Sequence, residues 1–147
     1  MIKYVKGDLF DTDADIIAHG CNCVGGYGSG VAKTMGEQYP KARKAYYEKF
    51  NGEGWTLGDV QFVYCPGKII ANSATQHAYM PRGRCHADYP AIEKAMKLVK
   101  DFAKQNNMSV AIPKIGAGLA GGDWNKIEGI LKKIFTDHDI TVYVLGN

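Results

Sequence analysis

Residues 16–32 read "IIAHGCNCVGGYGSGVA". Ile16, Ile17 and Ala18 form a short apolar run with the character of a buried strand. It opens into a segment carrying five glycines, one histidine and two cysteines in residues 18–32. From Gly30 helix formers return, with Val31, Met35 and Tyr39 at helical spacing and Pro40 marking a break. A strand that passes through a glycine loop into a helix predicts an α/β fold. In such folds ligands gather beyond the carboxyl ends of the strands.

Three chemistries would use this segment: a metal clip, a redox pair or a backbone cradle for phosphate. The C-x-C spacing of Cys21 and Cys23 differs from the usual spacing of zinc ligands, and the only other cluster is Cys85 and His86 with His77 nearby. No C-x-x-C pair is present. Both cysteines therefore read as small thiols packed beside a loop, and no motif demands a metal or a cofactor. The glycines fit the third chemistry, since they let backbone N–H groups approach an anion at a helix N-terminus. Neither "GGYGSG" nor "GAGLAGG" is a dinucleotide fingerprint or a nucleotide-triphosphate loop, so tight turns are the competing reading of each.

The remainder of the chain repeats the same alternation. "MIKYVKG" reads as a strand stopped at Gly7 and Asp8, and "VQFVYC" and "KIIANSA" as two strands turned at Pro66 and Gly67. Asp88 caps a helix with Pro90 in its first turn. Ile92, Ala95, Met96, Val99, Phe102 and Ala103 form one apolar stripe along it. "MSVAIP" is a buried strand running into a second glycine loop, residues 116–122. Asp123 then caps a helix that turns Trp124, Ile127, Ile130, Leu131 and Ile134 inward, and "ITVYVL" is a closing strand. The sum is an α/β protein with helices on both faces of a largely parallel sheet, and with two glycine loops at its ligand-binding edge.

Composition sets bounds on function. The 147 residues suit one domain with a real core; 46% are hydrophobic and 22% charged, which excludes a disordered chain. A net charge of +3 is too small for a nucleic-acid footprint, so no stable nucleic-acid complex is expected. No signal-peptide core and no bilayer-length apolar run occur, so a soluble cytoplasmic protein with free thiols at Cys21, Cys23, Cys65 and Cys85, and no membrane partner, is expected.

Several side chains stand out as candidates. His19 leaves the apolar strand where the chain enters the loop and is expected to face the ligand crevice; packing near the core is the alternative. Asn22 supplies an amide suited to sugar hydroxyls. Asp8 ends the first strand at the same sheet edge, as an acceptor for a ligand amine or as a turn cap. His138, in "TDHD", is expected in solvent.

With "GDLF", "DADIIAHGCNC", "GSGVA", "YPKARKAY" and "IPKIGAGLAGGDW" in this order, the sequence resembles the macro domain family of ADP-ribose-binding modules over nearly its whole length. "IAHGCNC" is similar to the branch containing phosphatases of ADP-ribose 1″-phosphate, and short phage-encoded members look alike. The resemblance implies a three-layer α/β/α sandwich around a mixed, mostly parallel six-stranded sheet and a single macro domain over residues 1–147; a monomer is expected. It also implies roles. Asp8 would bind the adenine amine with Leu9 beside it, and Asn22 would hold the distal ribose. Gly28, Ser29, Gly30 and Val31 would line the distal ribose and diphosphate, and Ile115, Gly116, Ala117, Gly118 and Leu119 would wrap the diphosphate from the other side. His19 would act at the terminal phosphate as acid, as guide of the attacking water, or as a ribose ligand. A related branch that removes ADP-ribose from macromolecules uses a lysine after the fourth strand; Gln76 stands near that place. Some members carry an aspartate where this chain has Ala120. The activity implied is hydrolysis of ADP-ribose 1″-phosphate, with a non-catalytic ADP-ribose reader or a hydrolase of ADP-ribosylated macromolecules as alternatives.

Overall fold

A computed structural model describes residues 1–81, 83–118 and 120–145. Its elements follow the order β1 (Ile2–Lys6), a 3-10 turn (Leu9–Asp11), β2 (Ile16–Cys21), α1 (Gly30–Gln38), α2 (Pro40–Asn51), β3 (Val60–Cys65), β4 (Lys68–Ala74), α3 (Tyr89–Asn106), β5 (Val110–Ile112), α4 (Trp124–Ile134) and β6 (Ile140–Val144). The expected strands and helices are all present. Pro40 does divide the segment after the glycine loop, and it opens α2 as its first residue, where its missing N–H costs nothing.

The six strands form one sheet in the order β1-β6-β5-β2-β4-β3. Every pairing is parallel except β3 with β4, the hairpin turned at Pro66 and Gly67. This is the mixed, mostly parallel six-stranded sheet expected, with helices on both faces.

Strand parity assigns the two apolar layers. Ile16 and Ala18 of β2, Ile69 and Ala71 of β4, and Val110 and Ile112 of β5 point into one layer with the Ile92, Met96 and Val99 stripe of α3 and with Ile127 and Leu131 of α4. Burying each of these larger side chains contributes about 2 kcal/mol. Ile17 and Cys21, one residue out of step, point into the other layer with Met35 of α1 and Ala42 and Tyr46 of α2. The caps are those legible in the sequence: Asp88 accepts from the Ala91 N–H and Asp123 from the Asn125 N–H, both at 2.9 Å.

This layering positions the site. β2 and β5 are neighbours in the sheet, yet the helix after β2 lies on one face and the helix after β5 on the other. The two loops leaving these strands must diverge, and a crevice opens between them.

Candidate functional site

The crevice beyond β2 and β5 is walled by Asn22, Gly26, Ser29, Gly30, Val31 and Ala32 on one side. Pro113, Lys114, Ile115, Gly116, Gly118 and Ala120 wall the other, Gly20 and Cys21 the β2 end, and Gln76 and Tyr79 complete the lining. Among the described residues, no carboxylate and no imidazole line it, and Lys114 is the one charged side chain that does.

The first wall is held from beneath, which leaves its outer backbone unoccupied. Asn22 is the organiser: its Oδ1 accepts from the N–H groups of Val24 (3.1 Å) and Gly26 (3.0 Å), and its Nδ2 donates to the Gly26 carbonyl at 2.7 Å. Two tyrosines of α2 do the rest. The Tyr46 hydroxyl accepts from the Gly25 N–H and the Tyr47 hydroxyl from the Tyr27 N–H, both at 3.1 Å. Cys23 N–H is taken by the His77 carbonyl at 2.9 Å. Among the described residues, no acceptor reaches the next five N–H groups, those of Gly28, Ser29, Gly30, Val31 and Ala32. Ser29 sits at the N-cap of α1 without a side-chain cap bond, and the first turn of α1 has no acidic residue. A row of free donors at a helix N-terminus is an anion site by charge as well as by hydrogen bonding.

The second wall is a closed turn. Gly122 N–H donates to the Gly116 carbonyl at 2.8 Å, and Gly121 N–H to the Gly118 carbonyl at 3.1 Å. Gly116 has φ +78°, and a Cβ on Gly122 would stand 2.5 Å from the Gly116 carbonyl oxygen, so both positions require glycine. The N–H groups of Gly116 and Gly118 meet no acceptor among the described residues. The segment between β4 and α3 ties the walls together: besides the Cys23–His77 bond, His86 and Ala87 N–H groups donate to the Ala120 carbonyl at 2.7 and 3.2 Å.

Of the residues singled out in the sequence, Asn22, Ser29, Gly30, Val31, Ile115, Gly116 and Gly118 line this crevice, with Gly28 immediately before Ser29. Ala117 packs partly against the α3 and α4 layer, and Leu119 lies outside the described residues. Asp8 stands exposed beyond β1, where it accepts from the Phe10 N–H at 2.9 Å, while Leu9 is buried in the apolar layer under α1 and α2. Neither lines the crevice.

His19 departs from expectation. It is fully buried and does not face the crevice. The cause is parity: His19 is in step with Ile17 and Cys21, so β2 turns it under α2. There its Nε2 lies 2.7 Å from Asn72 Oδ1 and 3.0 Å from the Tyr27 hydroxyl. Burial pushes its pKa down to about 4, against a smaller upward effect from the Asn72 acceptor, so the ring is neutral near pH 7. His138 also differs from expectation: it is partly buried, with Nε2 2.6 Å from the Met108 carbonyl oxygen.

The thiols of Cys21, Cys23 and Cys65 pack in the apolar layer under α1 and α2, and Cys85 is exposed. All four cysteines are free, and burial pushes Cys21, Cys23 and Cys65 above the ordinary thiol range. Among the described residues, no three His, Cys, Asp or Glu side chains come together as metal ligands, and no helix is long and apolar enough to cross a membrane.

The sequence reading missed Lys114, Tyr79 and the role of Gln76. Lys114 directly precedes the second glycine loop, and that adjacency was a usable signal. Tyr79 comes from a long connection without periodicity, and nothing in the sequence marks it.

A three-layer α/β/α sandwich with paired backbone donors across a switch-point crevice defines a class of small-ligand modules built to hold an anion. The family model of the Macro domain matches residues 18–131, and the chain belongs to that family. The ADP-ribose 1″-phosphate phosphatase of Lodderomyces elongisporus is 26% identical over 161 residues, covering 98% of this chain and 98% of the relative. The DNA ADP-ribosyl glycohydrolase of Mycobacterium tuberculosis is 31% identical over 152 residues, covering 97% of this chain but only 42% of that longer protein. Among solved structures, the macrodomain of Mycobacterium tuberculosis DarG superposes with a TM-score of 0.87 at 27% identity, over 99% of both chains.

Proposed function

We propose that the crevice binds ADP-ribose and that the protein hydrolyses ADP-ribose 1″-phosphate to ADP-ribose and phosphate. The observation that carries this reading is the row of five N–H groups at the start of α1, opposite the N–H groups of Gly116 and Gly118 across the crevice; among the described residues none of these meets an acceptor and no carboxylate lines the crevice. Two donor rows match the two phosphates of a diphosphate, and neither requires a side-chain charge. The whole-length similarity to a phosphatase of this substrate supports the reaction.

In this reading residues 28–32 and 116–118 cradle the diphosphate, and Asn22 offers the second N–H of its Nδ2 to the distal ribose. Asp8 accepts from the adenine amine through the carboxylate oxygen not engaged by Phe10. A water oxygen bonds to phosphorus, the bond from phosphorus to the 1″ oxygen breaks, and that oxygen takes a proton. The loop amides hold the substrate and neutralise charge on the transferring group. Among the described residues of the lining, the amides of Asn22 and Gln76, the hydroxyls of Ser29 and Tyr79 and the Lys114 ammonium are the side-chain donors available to the leaving oxygen or to the water. His19, sealed beneath the loop, takes no part in the proton transfer.

A second reading, retention of ADP-ribose without chemistry, is favoured by a lining that holds no carboxylate or imidazole among the described residues. Phosphate release from ADP-ribose 1″-phosphate separates the two. Multiple turnovers by the wild type, abolished in Asn22→Ala, support the phosphatase. ADP-ribose binding without phosphate release leaves the reader.

A further inference from the structure

The buried face of the sheet under the first glycine loop carries a polar rung that the proposed reaction does not use. His19 of β2 is registered with Asn72 of β4, and Asn72 with Gln61 of β3. The three side chains therefore stand side by side across three strands. Asn72 Nδ2 donates to Gln61 Oε1 and to the Ala42 carbonyl of α2, each at 3.0 Å. Gln61 Nε2 donates in turn to the Ala45 carbonyl at 2.9 Å.

These bonds fix the orientation of the Asn72 amide, so its Oδ1 must face His19. Oδ1 accepts from the Tyr27 hydroxyl at 2.8 Å, and the 2.7 Å contact with His19 requires the imidazole to carry its proton on Nε2. Nδ1 of His19 has no hydrogen-bond partner among the described residues, as that tautomer allows. The Tyr27 ring is 1% exposed although both of its chain neighbours are loop glycines, and it meets the His19 ring edge-on at 5.4 Å. Tyr27 is thus a loop residue pegged into the core, directly before the first free N–H of the donor row.

We infer that the rung of His19, Asn72 and Gln61, capped by the Tyr27 hydroxyl, is a positioning device that sets the anion cradle, with His19 and Tyr27 as positioning residues. It anchors α2 at two carbonyls and the loop at one hydroxyl. The tyrosines of α2 then hold the same loop by its backbone. Loop and helix are locked to the sheet as one unit, so the donors of residues 28–32 are aimed before any ligand arrives. The inference deepens the reading of the crevice as an ADP-ribose site and rests on it for its effect on affinity.

The test uses Tyr27→Phe, His19→Leu and His19→Gln in the full chain, with two readouts. Backbone 15N relaxation of residues 27–31 in the free protein reports loop order without any ligand, and calorimetry with ADP-ribose reports affinity. Tyr27→Phe removes one oxygen and His19→Leu removes the donor, so both are expected to lower the loop order parameters and weaken ADP-ribose binding roughly five- to tenfold. His19→Gln keeps an N–H donor within reach of Asn72 and is expected to restore both readouts to within about twofold of wild type. If His19→Leu does not fold, Tyr27→Phe alone decides. Wild-type loop order and affinity in Tyr27→Phe, or failure of His19→Gln to differ from His19→Leu, overturns the inference. If the wild type takes up no ADP-ribose, the functional reading falls while relaxation still decides the peg.

Discussion

The Tyr46 hydroxyl lies 2.8 Å from the Asn22 carbonyl oxygen and 2.9 Å from Asn22 Oδ1, so a buried tyrosine of α2 clamps the residue that shapes the first glycine loop. Asn22 Oδ1 already serves the Val24 and Gly26 N–H groups. Asn22→Ala leaves both donors and the Gly26 carbonyl without their partner. Stability should fall by about 1–3 kcal/mol, and ADP-ribose affinity should fall at least tenfold as the loop loses its shape. Thermal unfolding and calorimetry check the two parts. An Asn22→Ala protein with wild-type affinity would show that the loop is shaped by its glycines alone.

The second wall offers a cleaner separation of fold from ligand. A Cβ on Gly118 meets nothing within 4 Å, whereas a Cβ on Gly122 meets the Gly116 carbonyl. Gly118→Val should keep stability within about 0.5 kcal/mol of wild type while lowering ADP-ribose affinity at least tenfold. Gly122→Ala should lose about 1–3 kcal/mol of stability through the clash. Unaltered binding in Gly118→Val would remove the second loop as a wall of the site.

Asp8 tests the reach of the site along the sheet edge. Asp8→Asn keeps an oxygen for the Phe10 N–H, so the turn is preserved, but it removes the charge. Calorimetry should show ADP-ribose affinity lowered by about 1.5–3 kcal/mol, the worth of a hydrogen bond to a charged acceptor. An unchanged affinity would mark Asp8 as a turn residue only.

His19 makes a prediction about pH with a definite sign. Its folded pKa, about 4, lies below the 6.5 of the free side chain. The unfolded chain therefore binds the extra proton first as pH falls. The contribution of the neutral buried ring is complete above about pH 6.5 and is lost progressively down to pH 4, amounting to about 3 kcal/mol when fully lost. Urea unfolding at pH 7 and pH 5 should show this decline, and His19→Gln should show less of it. An NMR titration placing His19 near 6.5 would mean that solvent reaches the ring.

Much of the fold was legible because local and tertiary signals agree. The stripe from Ile92 to Ala103, the caps at Asp88 and Asp123, and Pro40 each specify one element without reference to the rest. The two glycine loops were legible as a pair because β2 and β5 read as strands leading into helices. The side on which His19 points was not legible. β2 is covered on both faces, so "IIAHGC" carries no alternation that separates one layer from the other. Tyr27 was hidden for a related reason, since "GGYGSG" reads as a turn while its one aromatic ring belongs to the core. Lys114 and Tyr79 reach the crevice from segments without periodicity, where only the folded chain decides what faces the ligand.

The central claim is that two rows of backbone donors hold a diphosphate nucleotide, and calorimetric titration of the purified protein with free ADP-ribose tests it most directly. The account predicts saturable binding at one site per chain, weakened at least tenfold in Gly118→Val with stability within about 0.5 kcal/mol of wild type. No detectable binding by the folded wild-type protein at millimolar ADP-ribose would contradict it.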